Sequence, residues 1–166
     1  MPWTTATARS SGFTVTATVW NSEHVDNMNF LKRVAFQTFG SDVSVTATTV
    51  GTANQIVSAG AVTYENVPHR ICFYCPRATN AAVVNHLILR GSTTVIGTLL
   101  SNAASANVSG VYAETTLTPT AASHTYNVAS WNAAAGTWTY QAGAGGPAGD
   151  TSTFLSGWIA VYRVPT

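Results

Sequence analysis

Between Val83 and Leu100 the chain reads VVNHLILRGSTTVIGTLL, two runs rich in Val, Ile, Leu and Thr on either side of Arg90-Gly91-Ser92. Branched side chains suit a pleated surface, and Gly91 tolerates the positive φ that a tight hairpin demands. The apolar residues lack the spacings of three and four that mark a helix face. Val83, Leu87 and Leu89 point one way, and Val84, His86 and Ile88 the other. Both faces are therefore partly apolar. That predicts a hairpin in the middle of an assembly, one face under a second sheet and the other under another subunit.

From Asp42 onward the pattern is all β. VSVTATTV alternates Val with Ser or Thr, the sign of a strand with one buried face. Further strands are predicted over 54–58, 61–66, 70–78, 82–90, 93–100, 108–118, 123–131, 136–142 and 153–164. Turn signals separate them, among them Gly51, Gly60, Pro68, Gly91, Pro119 and Gly136. Eight to ten short strands at this spacing predict an antiparallel sandwich of jelly-roll type. The last strand is apolar on both faces, with Phe154, Trp158, Ala160 and Tyr162 on one and Leu155, Ile159 and Val161 on the other. It reads as central.

One segment reads as a helix. Trp20, His24, Met28 and Leu31 fall at spacings of 4, 4 and 3 and make a stripe, with Val25 beside it. Thr16 or Thr18 can cap its start. Glu23 and Asp26 lie toward the front and Lys32 and Arg33 toward the back, in line with the helix dipole. It is predicted to end before Gly40. The expected organisation is an arm and helix over 1–40 and a β-sandwich over 41–166. A helix this short must pack on something: its own β domain, copies of itself, or a larger particle.

Composition sharpens the picture. Apolar residues make up 46% and charged residues only 8%, against roughly 25% charged in an ordinary soluble domain. Lys32 is the single lysine. A surface so poor in ionic groups fits burial against partners or a neutral polar surface outside cells. The net charge of +1 and six scattered arginines give no basic field, which argues against nucleic-acid binding. No apolar run is long enough for a membrane span, and the N-terminus lacks the pattern of a signal peptide.

Candidate chemistry is sparse. Cys72 and Cys75 form a CxxC with no second ligand pair for zinc. On a strand, residues three apart face opposite sides about 10 Å apart, so two buried reduced thiols are expected. Glu23, Asp26, Asp42, Glu65, Glu114 and Asp150 lie in six different segments, a poor start for paired-carboxylate hydrolysis. The four histidines show no HxH or HExxH spacing. His86, in mid-strand, is the best candidate to meet its copies on a three-fold axis, but a satisfied imidazole explains it as well. No cofactor, resident metal or catalytic residue is expected.

The aromatics say more. Trp131, Trp138 and Tyr140 cluster near the loop AGAGGPAGD. Exposed, they would stack on sugar rings; buried, they would fill the sandwich or a subunit contact. Trp158 and Tyr162, on one strand face, are expected at a subunit interface.

Three pieces together resemble a known group. They are the opening with Trp3, Gly12, Val15-Thr16-Ala17, Trp20-Asn21 and Asp26-Asn27; the hairpin LILRGSTTVIGTLL; and TPTAASHTYNVASWNAAAGTWTYQAGAG closing into FLSGWIAVYRV. These resemble small structural proteins of tailed bacteriophages with a C-terminal jelly roll of the C1q/TNF kind. Trp20 stands where that group often has Leu. The resemblance implies a homotrimer on a virion surface, a tail fibre or tip or a capsid decoration. The N-terminal arm and helix over 1–40 would dock on other virion proteins and the β domain would face outward for particle stabilisation or host attachment. Within that picture the helix stripe and strand faces make Trp3, Trp20, His24, Met28, Leu31, Trp158 and Tyr162 the candidates for attachment or trimer contacts, and Trp131, Trp138 and Tyr140 the candidates for a ligand contact such as a host-surface glycan. The rival reading is a secreted or surface carbohydrate-binding module.

Overall fold

A computed structural model describes residues 33–80, 82–103, 107–143 and 154–164. Ten strands run through them: β1 (Arg33–Phe39), β2 (Val43–Val45), β3 (Asn54–Thr63), β4 (His69–Asn80), β5 (Asn85–Gly91), β6 (Thr94–Asn102), β7 (Asn107–Leu117), β8 (Ser123–Asn132), β9 (Trp138–Gln141) and β10 (Gly157–Arg163). All pairings are antiparallel. Sheet A runs β1-β10-β4-β9-β2, with β7 on the other edge of β4; sheet B runs β3-β8-β5-β6. Without the short β2 and β9, the orders are β1-β10-β4-β7 and β3-β8-β5-β6. That is an eight-stranded jelly-roll sandwich, as the strand spacing predicts.

β4 organises sheet A. Its whole length pairs with β7, while its other edge takes β10 against 69–74 and β9 against 77–80. Pro76, which has no N–H to donate, falls in the gap between those two partners. β10 lies between β1 and β4, central as expected. Its pairing begins at Gly157, where a Cβ would lie 2.3 Å from the Phe39 ring and 2.9 Å from the Tyr74 carbonyl oxygen. The missing side chain lets Phe39 stack on Phe73 with centroids 6.2 Å apart. Phe154 and Leu155 precede the strand, and Leu155 is 71% exposed rather than facing inward with Ile159 and Val161.

The core lies between the sheets. Ile71, Phe73 and Cys75 of β4, Ile159 and Val161 of β10, Leu87 and Leu89 of β5, and Val128 of β8 pack there with Trp138 and Tyr140. Within it sits a polar knot. Asn85 Oδ1 accepts from Ser130 Oγ at 2.8 Å and from Tyr140 Oη at 2.7 Å. Asn85 Nδ2 donates to Asn132 Oδ1 at 2.8 Å and to the Trp131 carbonyl at 3.3 Å. Asn132 Nδ2 in turn donates to the carbonyls of Val45 and Gly136, both at 2.9 Å. Every hydrogen-bonding position of the Asn85 amide is used, which removes the cost of burying it.

Five expectations need correction. Residues 33–39, predicted as the end of a helix, form β1 on the edge of β10, so the sandwich takes in residues before 41. Ladder bonds to β10 and the inward packing of Ala35 override local helix propensity there. The rest of the predicted helix lies outside the described residues. The strand expected over 43–50 stops at Val45, because Asn54 Oδ1 accepts the Thr46 and Ala47 amides at 3.1 and 3.0 Å. The positive φ of the β5–β6 turn falls on Ser92, not Gly91. The central hairpin is only half central: β5 is interior, but β6 is an edge strand with Val95 and Ile96 40% and 49% exposed. The outer face of β5 is covered by this chain itself, since Ile88 is sealed by Ala53, Ala129 and Trp131.

Replacing Asn85 with Leu strips partners from Tyr140, Ser130 and Asn132 at once. It should cost about 2–4 kcal/mol, a fall in Tm of roughly 5–15 °C. Tyr140→Phe, which removes one bond, should cost about 1 kcal/mol. Thermal melts of the two variants check the difference.

Candidate functional site

The outer face of sheet A carries most of the exposed aromatic surface among the described residues. Strand register sets its layout. Trp158, Tyr74 and Tyr112 lie opposite one another on β10, β4 and β7, with Thr38 beyond Trp158 on β1. The next row is Phe36, Ala160, Cys72 and Glu114; the one after is Arg33, Tyr162, Arg70 and Thr116. Small residues at the centre of the middle row let the flanking rings approach each other. Trp158 lies 5.8 Å from Tyr74 and 6.3 Å from Phe36, centroid to centroid, at tilts of 32° and 37°. Phe36 is 38% and Tyr112 50% exposed, while Trp158, Tyr74 and Tyr162 are half-buried.

Polar groups frame these rings. The Arg33 guanidinium sits 4.0 Å from the Phe36 centroid and that of Arg70 5.6 Å from Tyr162, the geometry of cation–π contacts. Tyr112 Oη donates to Glu114 Oε2 at 2.6 Å, and Cys72 Sγ lies 3.9 Å from the same oxygen. The bond to Glu114 raises the Tyr112 pKa, with Cys72 adding to it, so the phenol keeps its proton as a donor. At the end of the face a cavity of about 250 Å³ is lined by Arg70, Thr116, Tyr162, Arg163 and Val164.

Behind that cavity His69 is buried. Its Nδ1–H donates to the Val67 carbonyl at 2.7 Å, and its ring meets Tyr64 edge-on at 5.1 Å. Arg163, opposite it on β10, pairs with Glu65 at 2.8 Å.

Each residue singled out in the sequence has a definite place or falls outside the described residues. Trp3, Trp20, His24, Met28 and Leu31 fall outside. Trp158 and Tyr162 share the aromatic face, as their alternation implies. Trp131, Trp138 and Tyr140 do not form one surface. Trp138 and Tyr140 are completely buried between the sheets and present no ring to a ligand. Tyr140 is a member of the polar knot, and burial holds its pKa far above the usual phenol range. Trp131 is half-buried on the outer face of sheet B, stacked on His86 at 4.4 Å. His86 Nδ1 is 2.9 Å from Ser101 Oγ, so the imidazole has a local partner. Both cysteines are free and buried on opposite faces of β4, and burial pushes the Cys75 thiol up to about 11. Glu65 and Glu114 have separate local partners, Arg163 and Tyr112. Among the described residues no three His, Cys, Asp or Glu side chains gather as a metal site, and no helix is long and apolar enough to cross a membrane.

Sequence reading missed Phe36, Tyr74, Tyr112 and Arg70. The alternation in RICFYC places Arg70, Cys72 and Tyr74 on one face, but only strand register shows that β10 and β7 bring rings to the same place.

The fold and this face define a jelly-roll domain with an exposed aromatic sheet. No known sequence family matches the chain, and no curated protein does. Among solved structures, it is similar to a carbohydrate-binding module from Cellvibrio mixtus lichenase 5A, in complex with cellotriose. The identity is 14% and the TM-score 0.40 over 80% of this chain and 99% of that one. It is also similar to the C-terminal domain of EclA, a sugar-binding protein, at 12% identity and a TM-score of 0.38, over 63% of this chain and 77% of that one.

Burial depresses the pKa of His69, with the Arg163 charge adding to the effect and the Val67 carbonyl and Glu65 opposing it. The fold therefore favours neutral imidazole. Its contribution to stability is complete above the unfolded pKa near 6.5 and is lost as pH falls below that value. Melts from pH 8 to pH 5 should show stability declining below about pH 6.5, and His69→Gln should flatten that decline. An equal decline in the variant assigns the effect to other groups.

Proposed function

We propose that this is a non-catalytic binding domain that recognises carbohydrate through the outer face of sheet A. The row Trp158-Tyr74-Tyr112, carried on three adjacent strands with its rings partly open to solvent, is the observation that carries the reading. Such rings stack on the C–H faces of sugars, and groups placed like Arg33, Glu114 and Thr116 bond the hydroxyls around them. Of the aromatics Trp131, Trp138 and Tyr140, the last two are fully buried and can offer no ring to a ligand, which favours this face over them. A glycan array followed by titration tests it. Trp158→Ala should weaken binding at least about tenfold, the loss of a single aromatic anchor, and Trp131→Ala should leave it unchanged. Sugar binding that survives Trp158→Ala and Tyr74→Ala overturns the assignment.

A second reading keeps the homotrimer on a virion surface. Few ionic side chains, together with exposed Val95 and Ile96 on the edge strand β6 and exposed Phe36 on sheet A, favour it. Light scattering decides between one and three copies of the 17.4 kDa chain. A mass of three chains supports the trimer, and a monomer removes it.

A further inference from the structure

We propose that the cavity at the end of the aromatic face is a subsite for a carboxylate-bearing sugar residue; this rests on the carbohydrate reading above and names the ligand class. The cavity is lined by Arg70, Thr116, Tyr162, Arg163 and Val164 and encloses about 250 Å³. That is smaller than the roughly 300 Å³ at which drug-sized sites begin, a scale suited to one ring rather than a whole oligosaccharide.

Charge selects the kind of ring. The Arg163 guanidinium is 2.8 Å from Glu65, and its side chain is only 9% exposed, so its charge is largely answered within the protein. Arg70 differs. It is exposed, its guanidinium stands 5.6 Å from the Tyr162 ring, and it makes no ion pair with a described carboxylate. Its planar fork matches the two oxygens of a carboxylate, and a charge-assisted pair of this kind is stronger than a neutral hydrogen bond. Thr116, opposite Arg70 on β7, supplies a hydroxyl, and Tyr162, opposite it on β10, supplies a ring. Buried His69 lies behind the cavity and is held neutral, so it adds no second cation at neutral pH.

The subsite is continuous with the platform. Tyr162 and Trp158 are four residues apart on the same face of β10, about 13 Å along the strand. A glycan lying along β10 reaches both, its neutral rings on Trp158 and Tyr74 and its acidic ring at Arg70.

The test is calorimetric titration of the full chain with a short uronic-acid oligosaccharide and with the same oligosaccharide after its carboxyls have been reduced to alcohols. The acidic form should bind about tenfold more tightly. Arg70→Gln should abolish that preference, the two forms then binding alike, and Arg70→Lys should restore part of it. Melting temperature confirms that the variants are folded. Equal binding of the two forms, or a preference that persists in Arg70→Gln, overturns the subsite and leaves the carbohydrate reading standing. If neither form binds and an array of neutral glycans is also silent, both fail.

Discussion

The architecture hangs on a polar knot sealed between two greasy sheets. Asn85 could not sit at the centre of the sandwich unless Ser130, Tyr140, Asn132 and the Trp131 carbonyl all met its amide. An amide left short of partners there would forfeit much of what the surrounding apolar packing supplies. The knot ties β5 and β8 of sheet B to β9 of sheet A, and through Asn132 it also reaches the carbonyl of Val45 in β2. Hydrophobic burial gives the sandwich its cohesion. These directed bonds fix how the sheets sit against each other, because a one-residue slip of β5 or β8 would put Asn85 or its partners on the wrong face.

That register has consequences on the far side of sheet A. With Ile71, Phe73 and Cys75 turned inward, Arg70, Cys72 and Tyr74 must turn outward. The same alternation on β10 sends Ile159 and Val161 into the core and Trp158, Ala160 and Tyr162 out. The aromatic face is thus the back of the core-forming pattern on three strands, and its flat, cross-strand shape follows from the sheet. Alternating small and large residues on that face brings Trp158 within contact of both Tyr74 and Phe36.

Much of the fold was legible in the chain. Period-two alternation and turn residues located most of the strands to within a few residues, and the apolar last strand read correctly as central. Errors arose where non-local partners overrode local pattern. Residues 33–39 sit beside a helix-like stripe, yet they complete the edge of β10. VSVTATTV alternates like a strand to its end, yet the Asn54 side chain takes the amides that would have continued the ladder. The site was harder to read. Trp138 and Tyr140 border a glycine-rich loop, which leaves both a sugar contact and a place in the core open to them, and nothing local reveals that Tyr140 is needed to satisfy Asn85. Phe36, Tyr74, Tyr112 and Trp158 lie far apart in sequence, and only strand pairing assembles them.

If the outer face of sheet A holds the ligand, as proposed, Trp131 and Trp138 serve the fold, one stacked on His86 and the other buried between the sheets. The chain has five tryptophans, whose indole N–H groups give separate signals in a ¹⁵N-labelled NMR spectrum. Titrating a binding glycan into such a sample is the most direct measurement. The Trp158 signal should move with ligand while those of Trp131 and Trp138 stay in place. A shift at Trp131 or Trp138 with Trp158 silent would contradict it.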